Sequence, residues 1–136
     1  MSKIFQGLCA ANPKQNSQVI DLIRLWIHEN QRVFGDRMIS NEDKDTLSGL
    51  LNIEVEKVFK LNKEEVYFTE RIIFGDYMGG LDSDIRPYNL VTDLKDMVKK
   101  IEGFLEDYNS GSKNPMKLIM FLDARDHVSR ICRILR

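Results

Sequence analysis

The stretch that most restricts the fold is Val19–Ile27, in which seven of nine residues are apolar. Only Asp21 and Arg24 interrupt it, so apolar side chains surround nearly the whole circumference of a helix that begins after Ser17. Such a helix must be covered on more than one side. Beyond this stretch the apolar positions narrow to one face and charges become frequent. The helix is therefore predicted to emerge from the core as it approaches Arg37.

Apolar residues recur at helical spacing in four further segments, and each segment is predicted to be a helix. These helices cover Ser2–Ala11, the residues from Ser40 or Asn41 to Phe59 with room for a break near Asn52, Leu90–Tyr108, and a stretch after Pro115. Between Leu61 and Pro87 the periodicity fails and β-prone residues appear, which leaves room for one short strand. We predict an all-α fold, a small bundle of about five helices with an irregular segment around residues 61–87.

Composition excludes several classes of partner. The 136 residues suit one domain, and a net charge of -1 from 20 basic and 21 acidic residues offers no field for nucleic acid or an anionic membrane. The apolar runs fall far short of the roughly 20 residues that a membrane span needs. Cys9 and Cys132 lack metal-type spacing, and no secretory signal is apparent, which favours a reduced, intracellular protein.

The His28-Glu29 pair resembles the start of a zinc-hydrolase helix. That site needs a second histidine four residues later, so that both imidazoles reach one ion. Arg32 occupies that position, and a guanidinium would repel the metal. His28 is therefore predicted to be a partly buried polar residue at the edge of the apolar face. Glu29 is predicted to pair with Arg32 in a modest surface contact.

Other chemical candidates are weaker still. Asp123, Asp126 and His127 have no partner nucleophile, and a surface ion pair or cap-like contact between Asp123 and His127 explains them. The stretch "FGDYMGGLDSD", residues 74–84, lacks the ending of a phosphate loop and the ordered acids of a calcium loop, so it is predicted to be a turn.

The last helix carries four arginines, which predict a solvated or partner-facing side. They are Arg125, Arg130, Arg133 and Arg136. We predict no catalytic residue, no cofactor-binding residue and no metal ligand.

Several segments of the chain resemble segments of dynein heavy chains, in the same order and at similar spacing. The segments are "MSKIFQGL" (1–8), "LIRLWIHENQRVFGDRM" (22–38), "IIFGDYM" (72–78), "YNLV" (88–91), "LEDYN" (105–109) and "LIMFLDARDHVSRICRILR" (118–136). The residues that match the family's helix patterns are Leu25, Trp26, His28, Glu29, Arg32, Phe34, Asp36 and Arg37, then Asp123, His127, Arg130, Ile131 and Arg133. The chain is similar to the stretch that joins the third and fourth AAA+ modules of the motor ring.

The resemblance implies an AAA+ lid-like helical domain over residues 1–109. It implies a flexible joint and the first helix of the following module over residues 110–136. Leu22–Arg37 would be a rigid lever and Ser110–Pro115 the joint. The family's Walker motifs would lie before residue 1, and the next phosphate loop after residue 136. The segment would therefore couple ATP-driven closure between modules without catalysis of its own.

The resemblance also implies partners and a location. The segment would contact neighbouring AAA+ subdomains of the same chain, with no nucleic acid and no membrane. The parent would bind ATP or ADP with Mg, microtubules and other dynein subunits, whereas the segment itself would hold no cofactor. The location would be cytoplasmic and cytoskeletal, and the wording "FGDYM" and "DARDHVSRICRILR" favours the axoneme of a cilium or flagellum.

An independent helical interaction module, which binds a partner helix through the basic last helix, is the alternative. The two hypotheses differ in exposed apolar surface. An excised lid should expose the stripe Phe121, Val128, Ile131 and Leu135, whereas an independent module should expose few apolar patches.

Overall fold

The computed structural model describes residues 2–14, 16–68, 71–80 and 86–135. These residues form six α-helices and one two-stranded sheet, so the mainly helical class is confirmed. The helices are α1 (Ser2–Ala10), α2 (Val19–Val33), α3 (Asn41–Phe59), α4 (Lys63–Val66), α5 (Leu94–Gly111) and α6 (Leu122–Leu135), and the strands are β1 (Phe74–Gly75) and β2 (Asn89–Leu90). Contacts divide the chain into two compact units, residues 1–72 and 73–136. None of the described helices is long and apolar enough to cross a membrane.

In the first unit α1 packs along α2. The all-round burial predicted for α2 is only partly correct. Leu25 and Ile27 are fully buried, but Leu22 is 46% exposed and Trp26 is half-buried. The apolar face of α1 also differs from a simple periodic pattern, because Phe5 is exposed while Ile4 and Gly7 are buried. Where α1 packs along α2, the small Gly7 is therefore buried and the large Phe5 side chain lies in solvent.

The prediction that α2 continues as one helix toward Arg37 is wrong for the last residues. The α-helix stops at Val33, and Gly35–Arg37 form a short 3-10 turn. Gly35 is buried, and a β-carbon at this position would lie 3.5 Å from Leu47 of α3. The 3-10 turn therefore packs beside α3, at a distance that is ordinary for a side-chain contact.

Helix α3 begins as predicted, because the Ser40 hydroxyl accepts a hydrogen bond of 3.1 Å from the Glu42 backbone N–H. No break occurs near Asn52, since an internal glycine costs only about 1 kcal/mol and buried Leu51 and Val55 hold the helix. It ends at Phe59 and is capped by Lys60, whose φ of 59° is left-handed.

The irregular segment around residues 61–87 is confirmed, and it includes α4 and β1. Residues 69, 70 and 81–85 of this prediction, like Arg136 of the last helix, lie outside the described residues. In the second unit Phe74 pairs with Leu90 and Gly75 with Asn89 in antiparallel register.

The predicted start of α5 at Leu90 is wrong, because Asn89 and Leu90 join the strand pair. The helix begins after Asp93, whose carboxylate accepts hydrogen bonds from the backbone N–H groups of Lys95 and Asp96 at 2.7 and 3.3 Å. It also continues past the predicted end to Gly111.

The last helix starts later than predicted, at Leu122, after a stretch without helix over residues 116–121. The core of the second unit contains Ile73, Tyr77, Val91, Met97 and Ile101, and Val128 and Cys132 of α6 pack against it. The strand pair, α5 and α6 therefore share one core.

Candidate functional site

Three polar residues of α2 lie four positions apart: Arg24, His28 and Arg32. This spacing places them along one side of the helix, and we call them the α2 polar row. Arg24 and His28 each make a hydrogen bond from α2 to another segment of the unit, and Arg32 pairs with Glu29, which lies against α1. The row was not recognised from the sequence, although three long polar residues at four-residue intervals in an apolar helix are a visible signal.

Arg24 fastens α2 to the end of α4. Its Nε donates to the Val66 carbonyl oxygen at 2.8 Å, and its Nη2 donates to the Glu65 carbonyl oxygen at 3.1 Å. The guanidinium also lies 4.8 Å from the centre of the Phe68 ring. The last carbonyls of a helix have no partner within it, and a cation is favourable there. Arg24 therefore supplies both hydrogen bonds and charge to α4.

His28 is 1% exposed, so its prediction as a partly buried edge residue understated its burial. Its Nδ1 lies 3.0 Å from the Ile72 carbonyl oxygen. Because a carbonyl can only accept, Nδ1 carries the proton and donates. The imidazole thus fastens the C-terminal end of the first unit to α2. In the described part of the chain no group of three metal-ligating side chains occurs.

The predicted pairing of Glu29 with Arg32 is confirmed, but its surface location is wrong. Arg32 Nη2 and Nε donate to Glu29 Oε2 at 2.7 and 3.1 Å, and Glu29 is fully buried. The carboxyl group lies against Gly7 of α1, where an added β-carbon would overlap it. A charge inside a protein requires a partner, and Arg32 provides one. This ion pair is therefore an internal part of the α1–α2 contact.

In the second unit, Tyr77 connects the strand region to α6. The Tyr77 hydroxyl and Ser129 Oγ are 2.6 Å apart, and Ser129 Oγ donates to the Arg125 carbonyl oxygen at 2.9 Å. Since a serine hydroxyl has one proton, Tyr77 donates and Ser129 accepts. Burial raises the pKa of Tyr77 to about 12. Gly75 makes room for this ring, because a β-carbon there would overlap it.

The predicted partner-facing arginines of α6 are partly used inside the unit. The Arg133 guanidinium carbon lies 5.3 Å from the centre of the buried Tyr88 ring. Tyr88 in turn lies against Phe74, with ring centres 5.7 Å apart. Arg133 therefore helps to hold α6 against the strand pair.

The weaker chemical candidates have structural contacts. His127 Nδ1 lies 2.7 Å from the Asp123 carbonyl oxygen on an exposed helix side, which is a cap-like contact as predicted. Burial raises the pKa of the Cys132 thiol and so disfavours the reactive thiolate.

The glycine-containing stretch after β1 forms a turn in its described part. The Gly80 N–H donates to the Tyr77 carbonyl oxygen at 3.1 Å, which closes a turn. A phosphate loop needs such backbone donors free to surround an anion. Residues 81–84 of the predicted turn lie outside the described residues.

Residues 1–69 match the AAA+ lid domain family, and they make up just over half of the chain. The chain belongs to the AAA+ lid domain family. The matched region covers nearly all of the first compact unit, residues 1–72, which contains the α2 polar row.

The whole chain is also similar to dynein heavy chains. It is 39% identical to rat dynein axonemal heavy chain 1 over 136 residues, which cover 100% of this chain and 3% of the relative. It is 38% identical to human dynein axonemal heavy chain 6 over 138 residues, with 100% and 3% covered, and 35% identical to mouse dynein axonemal heavy chain 3 over 147 residues, with 99% and 4% covered. The chain therefore spans only a small part of these relatives. All three are axonemal, the branch that the sequence favoured.

Proposed function

We propose that this chain is the lid segment between the third and fourth AAA+ modules of an axonemal dynein heavy chain. In this proposal it transmits ATP-driven closure between modules and does not hydrolyse ATP. The family membership, and the similarity of the whole chain to a short stretch of axonemal heavy chains, support it. The observation that carries the mechanism is the α2 polar row, because its bonds join α2 to α4 and to Ile72.

A lid transmits motion only if its parts move together. The His28–Ile72 bond is buried and the Arg24–Val66 bond is partly buried, and hydrogen bonds shielded from water are costly to break. Helix α2, the end of α4 and Ile72 should therefore move as one body, together with α1, which packs along α2. The rigid lever was predicted to be Leu22–Arg37. In this proposal it is Val19–Val33, because the α-helix ends at Val33. A force on either end of α2 is then delivered to the segments bonded to it.

The division into residues 1–109 as lid and 110–136 as joint and first helix of the next module is part of this proposal. Within the second unit, α6 packs on a core that includes Met97 and Ile101 of α5. Asn109 at the end of α5 also bonds both backbone groups of Met116 at 2.8 Å. A displacement of the next module, which begins with α6 in this proposal, would therefore reach α5 through packed side chains as well as through the connecting residues.

In this mechanism the lid has two positions, and nucleotide in the parent motor shifts their populations. The shift can be no larger than the difference in nucleotide affinity between the two positions. The parent would supply ATP with Mg, microtubule binding, other subunits and an axonemal location.

Calorimetry with ATP and Mg tests the non-catalytic part. We expect no heat of binding with the 136-residue chain. Saturable binding with a stoichiometry near one would overturn this part of the proposal.

The second part of the proposal, that the segment couples motion between modules, is tested in a motor protein that contains this segment. Arg24→Gln should uncouple ATP turnover from microtubule gliding, because the ties to Val66 and Glu65 are weakened. Arg37→Gln is the matched control, since Arg37 is exposed at the end of the same region. Circular dichroism of both variant chains checks that the helices are retained. Unchanged gliding per ATP hydrolysed in a folded Arg24→Gln motor would refute the lever.

The exposed side of α6 favours the lid segment over an independent module. Phe121, Ile131 and Leu135 are 60%, 55% and 82% exposed, whereas Val128 of the predicted stripe is half-buried against the core. We expect binding of a hydrophobic dye that falls in Ile131→Ser with Leu135→Ser. Deletion of α6 would be less informative, because it would also open the core. Dye binding that is absent from the unaltered chain would instead support the independent module.

A further inference from the structure

The segment predicted to be a flexible joint, Ser110–Pro115, is enclosed by a pair of hydrogen bonds. Asn109 Oδ1 accepts from the Met116 backbone N–H, and Asn109 Nδ2 donates to the Met116 carbonyl oxygen, both at 2.8 Å. Two residues that lie opposite each other in an antiparallel strand pair can exchange the same two bonds. The Asn109 side chain thus holds the Met116 backbone as a neighbouring strand would. We call these two bonds the Asn109 clasp.

The residues inside the Asn109 clasp have hydrogen bonds of their own. The Ser112 N–H donates to the Asn109 carbonyl oxygen at 3.4 Å, and Ser112 Oγ accepts from the Asn114 N–H at 3.1 Å. Pro115 has a fixed φ directly before Met116. The serine and glycine content of this segment predicts a flexible chain. Because the two ends of the segment are joined, that freedom is confined to the loop between them.

The residues after the Asn109 clasp are held at a second point, in the core of the second unit. Met120 packs against this core, and so do Val128 and Cys132 of α6. The buried bond between Tyr77 and Ser129 adds a polar contact to α6. A body held at two separate points cannot turn about one of them without breaking the other. Helix α6 can therefore swing relative to α5 only if the exposed clasp opens or side chains leave the core.

We propose that Asn109 is a positioning residue whose clasp makes α5 and α6 move as one body. The inference rests on the proposed function, in which α6 begins the next module. With the clasp closed, a displacement of α6 is carried into α5. With the clasp open, residues 110–115 become part of the link and absorb some of that displacement. Asn109 thus determines how much of the motion of the next module reaches the lid.

Hydrogen exchange of the Met116 amide measures the clasp in the 136-residue chain. Asn109→Ala removes both bonds, so the Met116 amide should exchange about tenfold faster. Alanine favours the helix, so α5 should persist, which circular dichroism checks. Asn114→Ala is the matched control, because Asn114 is exposed in the same loop and bonds through its backbone N–H, which alanine keeps. Equal Met116 exchange in Asn109→Ala and in the unaltered chain would overturn the clasp.

Two insertions in a motor that contains this segment distinguish the clasp from a flexible joint. Gly-Ser between Lys113 and Asn114 lengthens the loop inside the clasp. It should leave microtubule gliding per ATP hydrolysed unchanged, because loop closure depends only weakly on loop length. Gly-Ser between Lys117 and Leu118 lies between the clasp and the core contact of Met120, so it should lower gliding per ATP. A flexible joint would respond equally to both insertions.

In the same motor Asn109→Ala should lower gliding per ATP, and Asn114→Ala should not. Equal effects of the two insertions, or normal gliding per ATP in a folded Asn109→Ala motor, would refute the role of Asn109. Arg24→Gln in this assay separates that result from a failure of the proposed function. If Arg24→Gln lowers gliding per ATP and Asn109→Ala does not, the clasp is refuted while the lever is retained.

Discussion

The contact between Gly7 and Glu29 yields a double-mutant test of the first unit. In Gly7→Ala the new methyl group overlaps the buried Glu29 side chain. Overpacking of a core costs about 1–3 kcal/mol, and the better helix propensity of alanine offsets about 1 kcal/mol of it. The net loss of unfolding free energy should be about 0–2 kcal/mol.

In Glu29→Ala the partner of Arg32 disappears. Breaking a buried ion pair costs about 3–5 kcal/mol, and the low end applies because the Arg32 side chain keeps 15% exposure. In this background the overlap at Gly7 is gone, so Gly7→Ala should become neutral or stabilising by up to about 1 kcal/mol. The two substitutions should therefore be coupled by about 1–3 kcal/mol.

Urea denaturation followed by Trp26 fluorescence measures these free energies in the first unit, because Trp26 is the one tryptophan of the sequence. Gly49→Ala is the control: its β-carbon meets nothing within 4 Å, so it should stabilise by up to about 1 kcal/mol in both backgrounds. Additive effects of Gly7→Ala and Glu29→Ala within about 0.3 kcal/mol would refute the direct contact.

The further predictions concern Tyr77, Ser40 and Trp26. Tyr77→Phe should cost about 1 kcal/mol, because Ser129 keeps its other hydrogen bond. The raised pKa of Tyr77, about 12 against 10.0, means that its stabilisation is complete below pH 10 and is lost as pH rises toward 12; the difference in phenolate absorbance between the chain and Tyr77→Phe measures this titration. Ser40→Ala should cost about 1 kcal/mol in thermal unfolding through loss of the α3 cap, and no change would contradict the cap geometry. Trp26→Ala would cost about 3–5 kcal/mol if Trp26 were fully buried, but its partial burial lowers the expected loss to about 2 kcal/mol; a loss below about 1 kcal/mol would make it an ordinary surface residue.

The helices were predictable where local signals agree with burial. The Ser40 cap and the apolar periodicity of α5 are local features, and both helices occur. The ends were less predictable, because distant contacts decide them. Leu90 fits a helical pattern, yet it pairs with Phe74, sixteen residues earlier in the chain. Helix α2 ends at Val33, and the buried Gly35 follows in a 3-10 turn beside Leu47 of α3.

In the candidate site, too, local features were predictable from the sequence and features that depend on distant contacts were not. The pairing of Glu29 with Arg32 follows from their spacing on one helix and was predicted. Its burial depends on Gly7, a residue of another helix, and was not predicted. The tie from Arg24 to Val66 joins residues 42 positions apart, so periodicity could not reveal it.

The sequence by itself determined the helical class, most of the helices and the absence of a paired histidine for zinc, because these depend on residue type at short spacing. Its order of segments also indicated the dynein resemblance. Only the tertiary structure decided that Glu29 is internal, that His28 holds Ile72, and that α6 shares a core with α5. The physical reason is that burial and long-range hydrogen bonds are properties of neighbouring elements, and a single helix does not contain that information.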